Sequence, residues 1–147
     1  MNALELDRLL RQEIPLSQHM GVHDFQVSSN EVSLVLPLKP NINHKSTLFG
    51  GSLYSASALA CYGLFLTGLR ENGIGTNNIV IAEGHIKYTR PVNTDAKVVA
   101  SWNSRDEKER FFRALLAKKK ARVMMTAKSY VNSQICTDFN SLFAAWI

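Results

Sequence analysis

Only two cysteines occur in the 147 residues, and neither Cys61 nor Cys136 has a second ligand at metal-binding spacing. That excludes a zinc module and a disulfide scaffold. It leaves two buried thiols in a reducing compartment as the simpler reading. The N-terminal segment carries Glu5, Asp7 and Glu13 in place of a continuous apolar stretch. No secretion signal is therefore expected, and the expected location is cytoplasmic. Internal repeats, low-complexity tracts and Gly-rich phosphate turns between strand and helix are also missing. Charged residues make up 20% of the chain and hydrophobic residues 46%, a balance that argues against disorder. A chain of this length buries about 68–70% of the surface its unfolded form exposes. One domain over residues 1–147, with a core needing no metal or disulfide, is the expectation.

What is present begins with charge. The formal net charge is +5, which favours an anionic partner: nucleic acid, a phosphorylated cofactor or an acidic protein. Nucleic acid is disfavoured, because basic residues are not interleaved with aromatic ones and no recognised motif occurs.

Periodicity supplies the elements. Leu6, Leu9 and Leu10 predict a helix over 3–13, capped by Asn2 with Glu5 and ended by Pro15. Strands are expected over 22–28 and 31–38, joined by a Ser29-Asn30 turn, and again over 78–90 and 96–102, with Val92–Asp95 as the turn between them. Ser104 and Glu107 have capping-box spacing before an amphipathic helix over 105–119. Strands over 122–131 and 135–146, joined by Asn132-Ser133-Gln134, close the chain. The order α β β α β β α β β lacks βαβ alternation, so an α+β fold with an antiparallel sheet is predicted.

Between the first strand pair and the second lies TLFGGSLYSASALACYGLFLTGLR, residues 47–70, with no charge before Arg70. Its length suits a membrane span. Its glycines, serines and Thr67 dilute the apolar character, basic flanks and an aromatic belt are missing, and six strands need something to cover. A core helix enclosed by the sheet meets both needs. Gly50-Gly51 then falls in the first helical turn, where backbone N–H groups have no intrahelical acceptor. Two bare amides at the positive end of a helix suit an oxygen carrying negative charge. They equally suit close packing of a neighbouring strand or subunit.

NHKSTLFGGSLYSASALACYGL, residues 43–64, followed by IVIAEGHIKYTRPVNTDA, residues 79–96, resembles hot-dog-fold acyl thioesterases, in particular the YiiD-type C-terminal domain that follows an acetyltransferase. The resemblance implies a six-stranded antiparallel sheet around one long helix, with a short N-terminal helix and an extra helix between two strands. It implies a homodimer, or a dimer of dimers, with sites at the subunit interface. The substrate would be an acyl thioester whose coenzyme A or phosphopantetheine belongs to the substrate, with no separate cofactor and no metal. Acyl carrier protein is an implied partner. The carbonyl would point at the helix start, placing Phe49, Gly50, Gly51, Ser52 and Tyr54 at the substrate. Related enzymes with a His-Gly-Gly motif carry Asp or Glu seven residues after the second glycine. Here that position is Ala58, and Phe49 replaces the histidine.

Other residues are candidates for the missing chemistry. Asn43 and His44 precede the helix, where an amide could hold substrate and an imidazole could move a proton; turn formation and solvation are the alternatives. Glu83 and His85 are two apart on a strand and so share a face, either as an acid–base pair or as a solvent-side pair. Gly84 between them faces the other way, where a bulky neighbour is expected. Lys118, Lys119, Lys120 and Arg122 could meet coenzyme A phosphates or a carrier protein, or simply complement a helix C-terminus. Two functions remain open: thioester hydrolysis, or a non-catalytic acyl-thioester binding module serving an acetyltransferase.

Overall fold

The computed structural model describes residues 1–147. Helix α1, Ala3–Glu13, starts as its sequence predicts: Asn2 Oδ1 accepts from Glu5 N–H, and Glu5 returns to the Asn2 amide, both at 2.9 Å. Leu6 and Leu10 are its buried residues. Pro15 ends α1 but also opens a second helix, α2, Leu16–Met20, which the sequence reading lacks. Proline is tolerated at a helix start because the N–H it lacks has no intrahelical partner there. Gly21, at φ +69°, stops α2.

Strands β1 (His23–Val27) and β2 (Glu31–Leu36) form the first hairpin. β2 ends at Leu36, short of the expected Leu38, because Pro37 has no N–H for the ladder. After a short 3-10 turn, Lys39–Asn41, comes α3, Gly50–Glu71. Strands β3 (Ile79–Tyr88), β4 (Ala96–Trp102), β5 (Lys120–Val131) and β6 (Gln134–Trp146) complete one antiparallel sheet, with α4 (Arg105–Lys118) between β4 and β5. Ser104 Oγ accepts from Glu107 N–H at the start of α4.

The strand order is β1-β2-β4-β5-β6-β3. Val92–Asp95 is therefore no hairpin turn. β3 lies at the edge beside β6, and β4 sits between β2 and β5. The connection between them is pinned to the segment that leads from β2 into α3 instead: Val92 C=O accepts from Leu48 N–H at 2.7 Å, and Asp95 Oδ1 accepts from Leu38 N–H at 2.8 Å. The β5–β6 hairpin turns on two residues, Asn132 and Ser133, both at positive φ. Gln134, expected in the turn, already pairs with Val131. Such a turn matches the twist of the strands it joins.

The sheet curls around α3 in the hot-dog arrangement. An 18-residue window of α3 has mean hydropathy 1.3 and is 72% buried, so a helix long and apolar enough to cross a membrane is covered here by its own sheet. Phe65 on α3 packs against Phe111 of α4 at 5.2 Å and Phe143 of β6 at 5.5 Å between ring centres. Burial pushes the Cys61 thiol up to about 12, with a hydrogen bond from Ser141 opposing it weakly, so this cysteine stays a neutral core residue. The helix is not enclosed all round, however. Tyr54, Ser55, Ala58 and Tyr62 stay half-buried along one strip.

Candidate active site

The start of α3 is held from behind. The buried Asn41 side chain donates to Met20 C=O and Pro37 C=O, each at 2.8 Å, and its own C=O accepts from Phe49 N–H at 2.8 Å. Between Asn41 and the helix, residues 42–48 fold back on themselves through an Ile42–Leu48 bridge. Asn43 makes this loop: its Oδ1 accepts from Lys45 N–H and Thr47 N–H, and its Nδ2 donates to Thr47 Oγ1. The Asn43 side chain is thereby committed to the turn. His44, next along the loop, is exposed and has no hydrogen-bond partner.

Phe49 caps α3 with extended backbone and no side-chain bond. Its C=O accepts from Ser52 and Leu53. The N–H groups of Gly50 and Gly51 find no acceptor in the chain, which leaves two donors at the positive helix end. Phe49 itself is 57% exposed. A Cβ on Gly51 would collide with its ring, and one on Gly50 would lie 3.3 Å from the Tyr88 hydroxyl. That hydroxyl donates to Gly50 C=O at 2.8 Å. Burial, and then the neighbouring Tyr54, push the Tyr88 phenol upward, so it stays a proton donor at neutral pH.

Gly51 shares a helical face with Tyr54, Ser55, Ala58 and Tyr62, at spacings of three, four, seven and eleven. From Tyr54 onward this face floors an apolar groove of about 360 Å³, within the range of about 300–1,000 Å³ common for small-molecule sites. Ile14, Leu16, Ser17 and Met20 form one wall, and Ile79 and Ile81 of β3 form the other. Tyr54 stands edge-on to Phe139 at 4.9 Å. It is admitted by Gly84, where any Cβ would strike the Tyr54 hydroxyl. The bulky neighbour expected opposite Gly84 is this tyrosine.

A bulge between Ile81 and Glu83 shifts the alternation of β3. Ile79, Ile81, Gly84 and Ile86 pair with the inward residues Ala145, Phe143, Ser141 and Phe139. Glu83 and His85 pair with Leu142 and Asn140 on the opposite, outer face. They share a face with each other but not with the groove. Ser52 and Tyr54 remain beside the Gly-Gly turn, both half-buried. Lys118, Lys120 and Arg122 line a separate polar depression with Arg110 on α4 and β5. α4 packs at the other end of α3, where Phe112 abuts Gly68, about 25 Å along the axis from Gly51 at 1.5 Å per residue.

No carboxylate, imidazole or thiol lines the groove, and Ala58 occupies its floor. No three His, Cys, Asp or Glu side chains converge as metal ligands would. Burial, with the charge of Glu13 second, raises the Tyr62 phenol, so it too stays protonated at neutral pH. Within one chain the site is thus an apolar trough whose first floor residue, Tyr54, lies about one helical turn beyond the two free amides. Sequence reasoning missed the wall from α2 and the Tyr88 hydroxyl. The signal for the first was Pro15 followed by Leu16 and Met20, which reads as a helix start as readily as a stop.

The family described as "Putative thioesterase (yiiD_Cterm)" matches residues 3–147. Among solved structures, a protein of unknown function from Chlorobaculum tepidum is 30% identical, with TM-score 0.90, over 98% of this chain and 93% of that one. A putative thioesterase from Shewanella oneidensis is 25% identical, with TM-score 0.86, over 99% and 97%. A thioesterase from Haemophilus influenzae shares the fold at 12% identity and TM-score 0.72, over 99% and 92%.

Proposed function

The chain belongs to the YiiD C-terminal thioesterase family, and from that premise we propose that it hydrolyses acyl thioesters of coenzyme A or acyl carrier protein. The observation that carries the reading is that the free Gly50 and Gly51 amides open the same helix whose next turns, from Tyr54 to Tyr62, floor the apolar groove. The acyl chain lies in the groove, and the carbonyl oxygen meets the amides. Water adds to the carbonyl carbon, the oxygen gains negative charge, and the tetrahedral species collapses with loss of the thiol. Each amide donor aimed at that oxygen lowers the barrier by about 2.7–4 kcal/mol. Asn43 holds the loop that ends at Gly50. His44, exposed and unpaired on that loop, is the candidate to orient water and move its proton. Glu83 and His85 lie across the sheet from the groove of their own chain and take no part in this scheme.

The protein acts as a homodimer or a dimer of dimers, in a reducing cytoplasm suited to its two free cysteines. Ten-residue β3 is paired only with β6 and exposes Val80, Ile81 and Tyr88. A long apolar edge of this kind calls for a covering strand. The same edge borders the groove, so a partner joined there would complete the site.

Ala58 on the groove floor favours a second reading, an acyl-thioester binder without turnover. Release of free thiol from a panel of acyl-coenzyme A substrates separates the two. Hydrolysis is expected from the parent protein. It should fall about 100-fold in Gly51→Val, whose side chain obstructs the amide. Saturable binding with no thiol released would leave the binding module. No binding and no release would end both readings.

A further inference from the structure

Glu83 and His85 stand apart from the groove. Both are exposed on the outer face of the sheet, and neither joins any ion pair of the chain. They flank Gly84 at the middle of β3, whose far side is an open edge. The backbone of that edge restricts what can pair with it.

Asn78 C=O accepts from Trp146 N–H, and Thr89 N–H donates to Cys136 C=O. Strand alternation between these two contacts, shifted once by the bulge, turns the backbone of Val80, Glu83, His85 and Lys87 towards β6. The N–H and C=O groups of Ile79, Ile81, Gly84, Ile86 and Tyr88 therefore point out from the edge. A second β3 running antiparallel must set such residues opposite one another. A two-fold axis at Gly84 does so over the whole strand. Gly84 then meets its own copy, Ile81 meets the partner's Ile86, and Ile79 meets the partner's Tyr88. On the outer face Val80 meets the partner's Lys87, and Glu83 meets the partner's His85. Ala82, the extra residue of the bulge, needs no partner. An axis at Glu83 or at His85 leaves two residues of each strand unpaired and sets that residue against its own copy.

We propose that the protein forms its dimer through β3 in this register, with Glu83 and His85 as a reciprocal pair across the two-fold axis. The proposal rests on the edge assembly described under the proposed function and names the contacts that fix it. The imidazole N–H donates to the facing carboxylate, twice per dimer. Opposed residues outside the hydrogen-bonded pairs have the closest side chains. On the inner face, the partner's Ile86 and Tyr88 stand beside Ile81 and Ile79, the β3 wall of the groove. Each groove is thereby extended by the other subunit.

The test is oxidation of paired cysteine variants, read by non-reducing electrophoresis. Val80→Cys/Lys87→Cys should link two chains, because the opposed positions lie about 4.5 Å apart at Cα, within disulfide reach. Within one chain they are about 20 Å apart, so no internal bridge competes. Glu83→Cys/Lys87→Cys and Val80→Cys/His85→Cys, which report axes at His85 and at Glu83, should stay unlinked. In sedimentation, Glu83→Lys should weaken dimerisation about tenfold, and the exchanged variant Glu83→His/His85→Glu should restore it. A link through either of the other pairs overturns the register. So does a dimer that Val80→Cys/Lys87→Cys fails to link, or one that Glu83→Lys leaves intact or the exchange does not restore. A monomeric parent overturns the edge assembly and this proposal with it.

Discussion

At the scale of single residues, two glycines do different work. Gly51 leaves a backbone donor approachable, whereas Gly84 leaves room for a ring. Replacing Gly84 with valine drives a branched side chain into the Tyr54 hydroxyl, with Phe139 behind that ring. Stability should fall by about 1–3 kcal/mol in a urea titration, and displaced Tyr54 should weaken acyl binding at the same time. The Gly50-Gly51 pair was legible from its place at the start of an uncharged stretch, and Gly84 from its place between two polar residues on a strand. The side of the sheet that Glu83 and His85 occupy was not legible. Strict alternation from Ile79 and Ile81 puts them on the inner face, and the bulge before Glu83 reverses that. A bulge depends on how two distant strands settle against each other, which local spacing does not encode.

At the scale of elements, the groove exists because α1 and α2 stand off one strip of α3. Ala58 lies on that strip, and each CH₂ buried in the groove contributes about 0.8 kcal/mol. Affinity should therefore rise about fourfold per added carbon until the groove is full. Ala58→Phe should cut off that rise early: long-chain thioesters should lose most of their affinity, while acetyl thioesters keep theirs. A chain-length series on both proteins measures this. The far end of α3 is tied to α4 by Lys108 and Glu71 at 3.2 Å. Burial pushes the Glu71 carboxyl up, but hydrogen bonds with Ser29 and Lys108 and the charge of Lys108 outweigh it, so the carboxyl is held below its ordinary value. A carboxylate depressed in the folded state stabilises above its unfolded pKa and loses that contribution as pH falls through the folded value. Glu71→Gln should therefore be less stable than the parent at pH 7, and the gap should close as pH falls below the ordinary carboxylate range, as thermal melts across pH would record. Most elements were legible from periodicity and caps. α2 was not, because five residues carry too little repeat to register and Pro15 reads as a stop.

At the scale of the molecule, the sheet order was the least legible feature. Val92–Asp95 has turn-forming composition, yet the strands it joins lie apart in the sheet. Their partners are set by which strands close around α3, a whole-chain property. The same order leaves β3 at an edge beside the groove, so assembly and site are linked. Sedimentation should give two or four times the chain mass of 16.4 kDa, and a monomer at micromolar concentration would contradict the proposed assembly. The most direct measurement is an amide NMR titration with a hydrolysis-inert acyl-coenzyme A analogue. The Gly50 and Gly51 N–H signals should move most, together with those of Tyr54, Ala58 and Ser17 along the groove. Shifts confined to the basic depression around Lys118 and Arg122, with the two glycine amides unmoved, would contradict the account.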